Sequence, residues 1–155
     1  MAPPEVQLVS ATTDDLPRLL EWMRSLRIDD PMETTAVVPI EKSEAAMRDL
    51  VADESHGRVW IIQRAPDAVG YVALTFCMSI EFGGRVAFID ELFIDRNFRR
   101  QGIGRRVIEL VTAQARQLNV RALLLEVSDE NVAAVRLYES AGFGRRQYRT
   151  MTRIL

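Results

Sequence analysis

Arg99-Arg100-Gln101-Gly102-Ile103-Gly104 joins a strand-forming run ending at Ile94 to a helical repeat beginning at Gly102. Glycines let the backbone turn tightly and approach a ligand closely. The first amides of a helix have no intrahelical partner, and the helix dipole is positive there, so this junction suits an anion. Arg99, Arg100, Arg105 and Arg106 add charge around the same point. A pyrophosphate is the expected guest. The spacing is not GxGxxG, because the third position after Gly104 is Val107, and no GxxxxGK[ST] occurs. Dinucleotide and P-loop nucleotide folds are therefore disfavoured.

Working outward, Ile103, Val107, Leu110, Val111, Ala115 and Leu118 share one face of a helix predicted from Gly102 to Leu118. Ala122 to Val127 is a continuous apolar run, as expected of a strand covered on both faces. Asn131 to Ala141 reads as another helix with Gly142 as its C-terminal cap, and Arg145 to Ile154 as a final strand. Upstream, Val86 to Ile94, Val69 to Ser79 and Arg58 to Arg64 are predicted strands, with turns at Phe82-Gly83-Gly84-Arg85 and Ala65-Pro66-Asp67. A helix is predicted from about Glu41 to Asp53, and another from a cap at Thr12 or Thr13 to about Arg27, following a strand at Val6 to Val9. Ile28 to Pro39 reads as a loop. Met1 to Glu5, with Pro3-Pro4, reads as a mobile tail of one domain spanning 1–155. Hairpins followed by one strand–helix–strand crossover require a mixed sheet.

The chain has 155 residues, 48% hydrophobic and 27% charged, with a net charge of -2 and a pI near 5.5. That size suits one domain, and the acidic balance argues against a nucleic-acid partner. No apolar run approaches the roughly 18 residues of a membrane helix. The amino terminus lacks the basic flank and apolar core of a signal peptide, so a cytoplasmic location is expected. Cys77 is the single cysteine and His56 the single histidine, so no internal disulfide and no metal site is expected. Cys77 has no partner base in view and reads as a small packing residue; His56 reads as a surface loop residue. Met23, Met32, Met47 and Met78 read as core filler.

The hexapeptide resembles the coenzyme A loop of the Gcn5-related N-acetyltransferases, and the resemblance extends on both sides. Phe88-Ile89-Asp90-Glu91-Leu92-Phe93-Ile94-Asp95 is similar to the strand before that loop. Leu125-Glu126-Val127, followed by Asn131, Ala134, Leu137, Tyr138, Gly142 and Phe143, is similar to the family's later strand and helix, LEV and NxxAxxLYxxxGF. The two blocks cover Val86 to Phe143; the amino-terminal half agrees only in the order of elements. The implied fold is α/β (α+β): a mixed, mostly antiparallel twisted sheet flanked by helices, with a splayed central strand pair.

The resemblance implies that acetyl-CoA is the co-substrate. Amides from Arg99 through Arg100, Gln101, Gly102, Ile103 and Gly104 to Arg105 would hold its pyrophosphate. Leu92-Phe93-Ile94 would line the pantetheine arm, Leu92 and Ile94 through backbone groups exposed by a bulge. Asn131 and Ala134 would meet the coenzyme at the start of the last helix, although Asn131 reads equally as an N-cap. Tyr138 resembles the tyrosine that protonates the leaving thiolate; core packing is its alternative. The substrate amine would attack the thioester directly, with Glu91 or Asp90 as base. Alternation places these two on opposite faces unless a bulge resets the register. Glu91 is preferred, with Asp90 orienting substrate; Glu126 is a third candidate, or one half of a buried ion pair.

The expected acceptor is the primary amine of a small molecule. Asp29, Asp30 and Glu33 in the first loop would suit a cationic one. A protein N-terminus is the alternative, since the LEV and Tyr138 block is similar to ribosomal-protein acetyltransferases. A non-catalytic acyl-CoA sensor is the alternative of another class. With a single final strand, the sheet keeps an open edge that a second copy could cover, so a homodimer is expected.

Overall fold

The computed structural model describes residues 5–29 and 38–155. Met1 to Pro4 of the expected tail, most of the first loop, including Asp30 and Glu33, and Met32 lie outside the described residues. The elements are β1 (Gln7–Ser10), α1 (Leu16–Asp29), α2 (Ile40–Ala52), β2 (Gly57–Arg64), β3 (Asp67–Ser79), β4 (Gly84–Ile94), α3 (Ile103–Gln117), β5 (Leu123–Leu124) and α4 (Val132–Ser140). The sheet order is β1-β2-β3-β4-β5, antiparallel throughout except the final β4–β5 pair, which is parallel. The mixed sheet is as the sequence predicts.

Local chemistry accounts for the element ends. A short 3-10 turn at Thr13–Asp15 leads into α1, and the Asp15 carboxylate accepts the Thr12 backbone N–H at 2.9 Å. Asn131 caps α4, its Oδ1 accepting the Ala134 N–H at 3.2 Å. Gly142 follows α4 at φ 94, the left-handed position a helix end favours glycine for.

Successive residues of β2 and β3 point to opposite faces, and both faces are covered. On one, α3 buries Ile103, Val107, Ile108 and Val111 against Ile62, Val72, Leu74, Ala87 and Ile89. On the other, α1 and α2 bury Leu19, Leu20, Met23 and Met47 against Val59, Ile61, Tyr71, Ala73 and Phe93. Each such side chain contributes about 1.5–3 kcal/mol relative to exposure. Two-sided burial explains why these central strands read as apolar runs rather than alternating ones.

Three expectations are corrected. The run Ala122 to Val127 forms only the two-residue β5, and both of its strand residues are partly exposed. It pairs at the start of β4 alone, Ala87 with Leu123 and Phe88 with Leu124. Arg145 to Ile154 forms no strand; Tyr148 and Met151 stand 81% and 94% exposed, so the segment buries no face that would hold it in a ladder. Ile28 belongs to α1 rather than to a loop, since the helix runs to Asp29.

That extension has a use. The Asp29 carboxylate pairs with Arg96, through Nε at 3.0 Å and also through Nη2, and with Arg99 Nη2 at 2.5 Å. The end of α1 is thereby tied to the segment that leaves β4. Asp29 is thus committed to two arginines and is not placed to receive a cationic acceptor. Arg96 above all, with Arg99 adding to it, holds the Asp29 carboxyl below its ordinary value against the opposing effect of burial.

Two predictions follow from this packing. A Cβ built on Gly70 would lie 2.0 Å from the Phe93 carbonyl oxygen, so Gly70→Ala must push β3 off β4. The expected loss is on the order of 1–3 kcal/mol or more, read from denaturant unfolding. A carboxyl with a lowered folded-state pKa adds stability above its unfolded value, about 3.9, and loses it as pH falls through the lowered one. Asp29→Asn should therefore lower the melting temperature at pH 7, and the gap to the parent protein should close on acidification below about pH 4.

Candidate active site

The register of β3 and β4 fixes the site. Ala73 faces Glu91, but the next pair is Leu74 with Ile89, so Asp90 is an extra residue on β4. A bulge of this kind bends the strand and leaves the ladder locally unpaired. It also resolves the alternation: Asp90 and Glu91 line the same cleft instead of opposite faces. That cleft, of ≈ 410 Å³, lies between α2 and β4, with Met23, Met47, Leu50 and Ala73 on its apolar side and Asp49, His56 and Thr75 among its polar residues.

Beyond the bulge, the backbone directions follow from one bond. Asp95 N–H donates to the Val69 carbonyl at 2.8 Å, so Asp95, Phe93 and Glu91 turn their main-chain groups toward β3. Leu92 and Ile94 turn theirs to the opposite edge, where the β5 ladder has already stopped at Leu124. Phe93 differs from expectation: its backbone is taken by β3 and its ring is buried on the α1 face. At the Ile94 carbonyl, Arg99 Nε donates at 2.6 Å. With that bond, the Asp29 pair and its stacking 5.6 Å from the Phe93 ring centre, the Arg99 guanidinium serves the fold.

The loop then turns through two left-handed residues, Arg100 at φ 60 and Gly102 at φ 77. The first helical turn-closing bond at this end runs from Arg106 N–H to the Gly102 carbonyl at 3.2 Å. The amides of Ile103, Gly104 and Arg105 precede it and point out of the helix start, as an anion site requires. The Ile103 side chain is buried in the core below. Gly104 is small for a packing reason the sequence did not disclose: a Cβ there would lie 3.1 Å from Leu137 Cδ2 and 3.6 Å from Ile94 Cδ1. Gln101 is held on both sides, its Oε1 accepting from Arg64 and its Nε2 donating to the Asn97 carbonyl at 3.2 Å. Arg64, at the end of β2, is a cation the sequence reading missed; only the sheet brings it beside the loop. Arg105 lies near Glu109 at 3.7 Å and stays largely exposed.

Tyr138 projects from α4 into the group that includes Leu92 and Ile94 on the α3 face, with Phe143 edge-on at 5.8 Å. Burial raises its phenol above the ordinary value, so the hydroxyl stays protonated through the neutral range. Asn131 and Ala134 satisfy each other in the cap. Across the gap, the Asp90 carboxyl is raised by burial first and by repulsion from Glu126 second. Glu126 itself is exposed, which corrects the expectation of a buried ion pair. On the α2 side, Tyr71 Oη donates to Glu91 Oε2 at 2.7 Å.

Other candidates fall elsewhere. Cys77 is exposed rather than packed, as is Met78, at 75%. His56 is exposed but reaches the cleft rim, with Nε2 3.5 Å from the Asp53 carboxylate. A second cleft of ≈ 360 Å³, between α3 and Ala141–Gly144, contains none of the predicted site residues. Among the described residues, no cluster of His, Cys, Asp and Glu is arranged to hold a metal ion, and no helix is long and apolar enough to cross a membrane.

Comparison with known proteins accords with this geometry. The [Ribosomal protein bS18]-alanine N-acetyltransferase of Escherichia coli K12 is 38% identical over 66 residues, covering 40% of this chain and 45% of that enzyme. The chain thus matches a little under half the length of that relative. The IAA acetyltransferase of Azospirillum brasilense is 26% identical over 130 residues, covering 76% of this chain and 82% of its own. An integron cassette protein from the mobile metagenome of Cole Harbour Salt Marsh superposes with a TM-score of 0.78 at 28% identity, covering 98% of this chain and 91% of its own. The profile of the acetyltransferase (GNAT) family matches residues 18–143, which is most of the chain and includes the bulge, the glycine turn and Tyr138, and the protein belongs to that family.

Proposed function

We propose that the protein transfers an acetyl group from acetyl-CoA to the primary amine of a small molecule within a ternary complex. The observation that carries this reading is the open edge of β4. It runs from the bulge at Asp90 to the amides at Gly102, with an acidic cleft on one side and Tyr138 on the other.

In this reading the pyrophosphate rests on the amides around Gly102 to Arg105, with Arg100 and Arg64 adding positive charge. The pantetheine arm lies against β4 as an added strand, bonding the backbone of Leu92 and the Ile94 N–H. The Arg99 side chain and Phe93 shape this site, and Asn131 and Ala134, at the start of α4, meet the coenzyme arm. Family membership supports acetyl-CoA as the group donor.

The acceptor enters through the cleft. An amine is mostly protonated near neutral pH and must lose a proton before attack. Glu91, directly or through water, takes that proton and passes it to solvent, so that it is again a carboxylate. The nitrogen then bonds the thioester carbon, and a second proton leaves the nitrogen by the same route. The tetrahedral intermediate collapses by breaking the C–S bond, and the departing thiolate receives the Tyr138 proton. Solvent restores the phenol. Base and acid thus lie on opposite faces of the sheet, with the reacting carbon between them. Asp90 and Asp49 favour an acceptor that carries positive charge, and Met23, Met47 and Leu50 favour an aliphatic arm.

A protein N-terminus is the second reading, favoured by the 38% identity to the ribosomal-protein enzyme. A homodimer remains part of the proposal, because the outer edge of β5 has no strand against it among the described residues. A sensor without catalysis would bind acetyl-CoA and turn over with no amine.

Thiol release from acetyl-CoA, measured with 1,5-diaminopentane, benzylamine and an alanine-starting peptide, tests the reading. Turnover fastest with the diamine is expected; peptide preference would support the second reading, and binding without turnover would support the sensor. Tyr138→Phe should lower kcat on the order of 100-fold with little change in KM for acetyl-CoA. The alkaline limb that it removes should lie above pH 10, the ordinary phenol value being about 10.

A further inference from the structure

Tyr71 is fully buried, yet its hydroxyl meets a carboxylate at the cleft. Its ring lies nearly parallel to Trp22, 9° between planes with centres 6.2 Å apart, and Phe93 stands 6.1 Å away on β4. Such a phenol has little rotational freedom. Its 2.7 Å bond to Glu91 Oε2 crosses the β3–β4 pair diagonally, since Tyr71 faces Phe93 while Glu91 faces Ala73. Diagonal neighbours on one face lie about 7–8 Å apart at their Cα atoms, within the span of an aromatic side chain. The small Ala73, directly opposite Glu91, leaves the path open. Glu91 is on this face only because Asp90 is an extra residue in β4.

We propose that Tyr71 is a positioning residue for acetyl transfer: a rigid donor, braced by Trp22 and Phe93, that sets the direction of the Glu91 carboxylate toward the acceptor amine. The inference rests on the reading above, in which Glu91 takes the amine proton. The physical need is orientation. Glutamate has several torsions, and ordering such a side chain costs conformational entropy. Folding meets that cost in advance when a buried group holds one carboxylate oxygen, so the base is already aimed when the acceptor arrives. Aspartate on the same backbone would be too short to keep the bond at the same depth in the cleft.

The test is a double-mutant cycle on the full chain, with acetyl-CoA and the fastest acceptor among 1,5-diaminopentane, benzylamine and the peptide. Tyr71→Phe keeps the ring between Trp22 and Phe93 and removes the hydroxyl. It is expected to lower kcat by roughly 10- to 100-fold while KM for acetyl-CoA and the melting temperature change little. In a Glu91→Gln background the same change should cost nothing further, because the group it positions is gone. Glu91→Asp should fall with Tyr71→Phe although it keeps a carboxylate in the cleft, and this arm stands even where Tyr71→Phe folds poorly. Equal losses from Tyr71→Phe in both backgrounds would overturn the proposal, as would full activity of Glu91→Asp. Loss of turnover through Tyr138 with Glu91→Gln fully active would overturn it while leaving acetyl transfer intact. A parent protein that releases thiol with no acceptor would remove acetyl transfer itself, and the role of Tyr71 with it.

Discussion

One added residue in β4 organises the molecule. At Ala87 and Phe88, β4 has a partner on each side, β3 and β5. At Asp90 the register with β3 slips by one, and beyond it β4 pairs, among the described residues, with β3 alone. A bulge increases local twist and bends the strand that carries it, so β4 turns out of line with β5 at that point. The slip has two further results. It brings Asp90 and Glu91 to one cleft, and it sets which residues turn their amides to the open edge. A regular strand would have sent one carboxylate to the α3 face, into the apolar group around Ile89 and Val107, where an unpaired charge is costly.

The second constraint is the start of α3. Its outward amides are common to every helix, but here they are fixed at the end of the open β4 edge. Arg99 joins the loop to the Ile94 carbonyl and to Asp29 of α1, and Gly104 spares α3 a Cβ that would crowd Leu137 of α4 and touch Ile94 of β4. The anion-facing turn, the free strand edge and Tyr138 are therefore parts of one packed unit. The arginine that the motif suggested as a phosphate ligand, Arg99, acts as the tie, whereas Arg64, from a distant strand, lies beside the loop.

Differences between the sequence reading and the structure have identifiable causes. The apolar run at Ala122 to Val127 was read as a full strand because periodicity cannot distinguish pairing from burial. Once β4 bends away, only Leu123 and Leu124 have a ladder to join. The final strand failed for a different reason, since strand propensity at Arg145 to Ile154 is not backed by burial: Tyr148, Met151 and Ile154 are all exposed. Asp29 looked like an acceptor-binding carboxylate in an acidic loop. Its helix continues far enough to bring it to Arg96 and Arg99, which no local pattern discloses.

The sequence alone determined the elements whose signals are local. The α3 face, the hairpin turns, the Asn131 cap, the Gly142 end and the glycine turn before a helix all depend on neighbours within a few residues, and so does the family resemblance they carry. Tertiary structure decided everything that depends on register between distant strands: the bulge at Asp90, the side to which Glu91 points, the phenol of Tyr71 that meets it, and the place of Arg64. Register is set by the packing of whole faces against α1, α2 and α3, and a slip of one residue exchanges those faces. That is information no single segment contains.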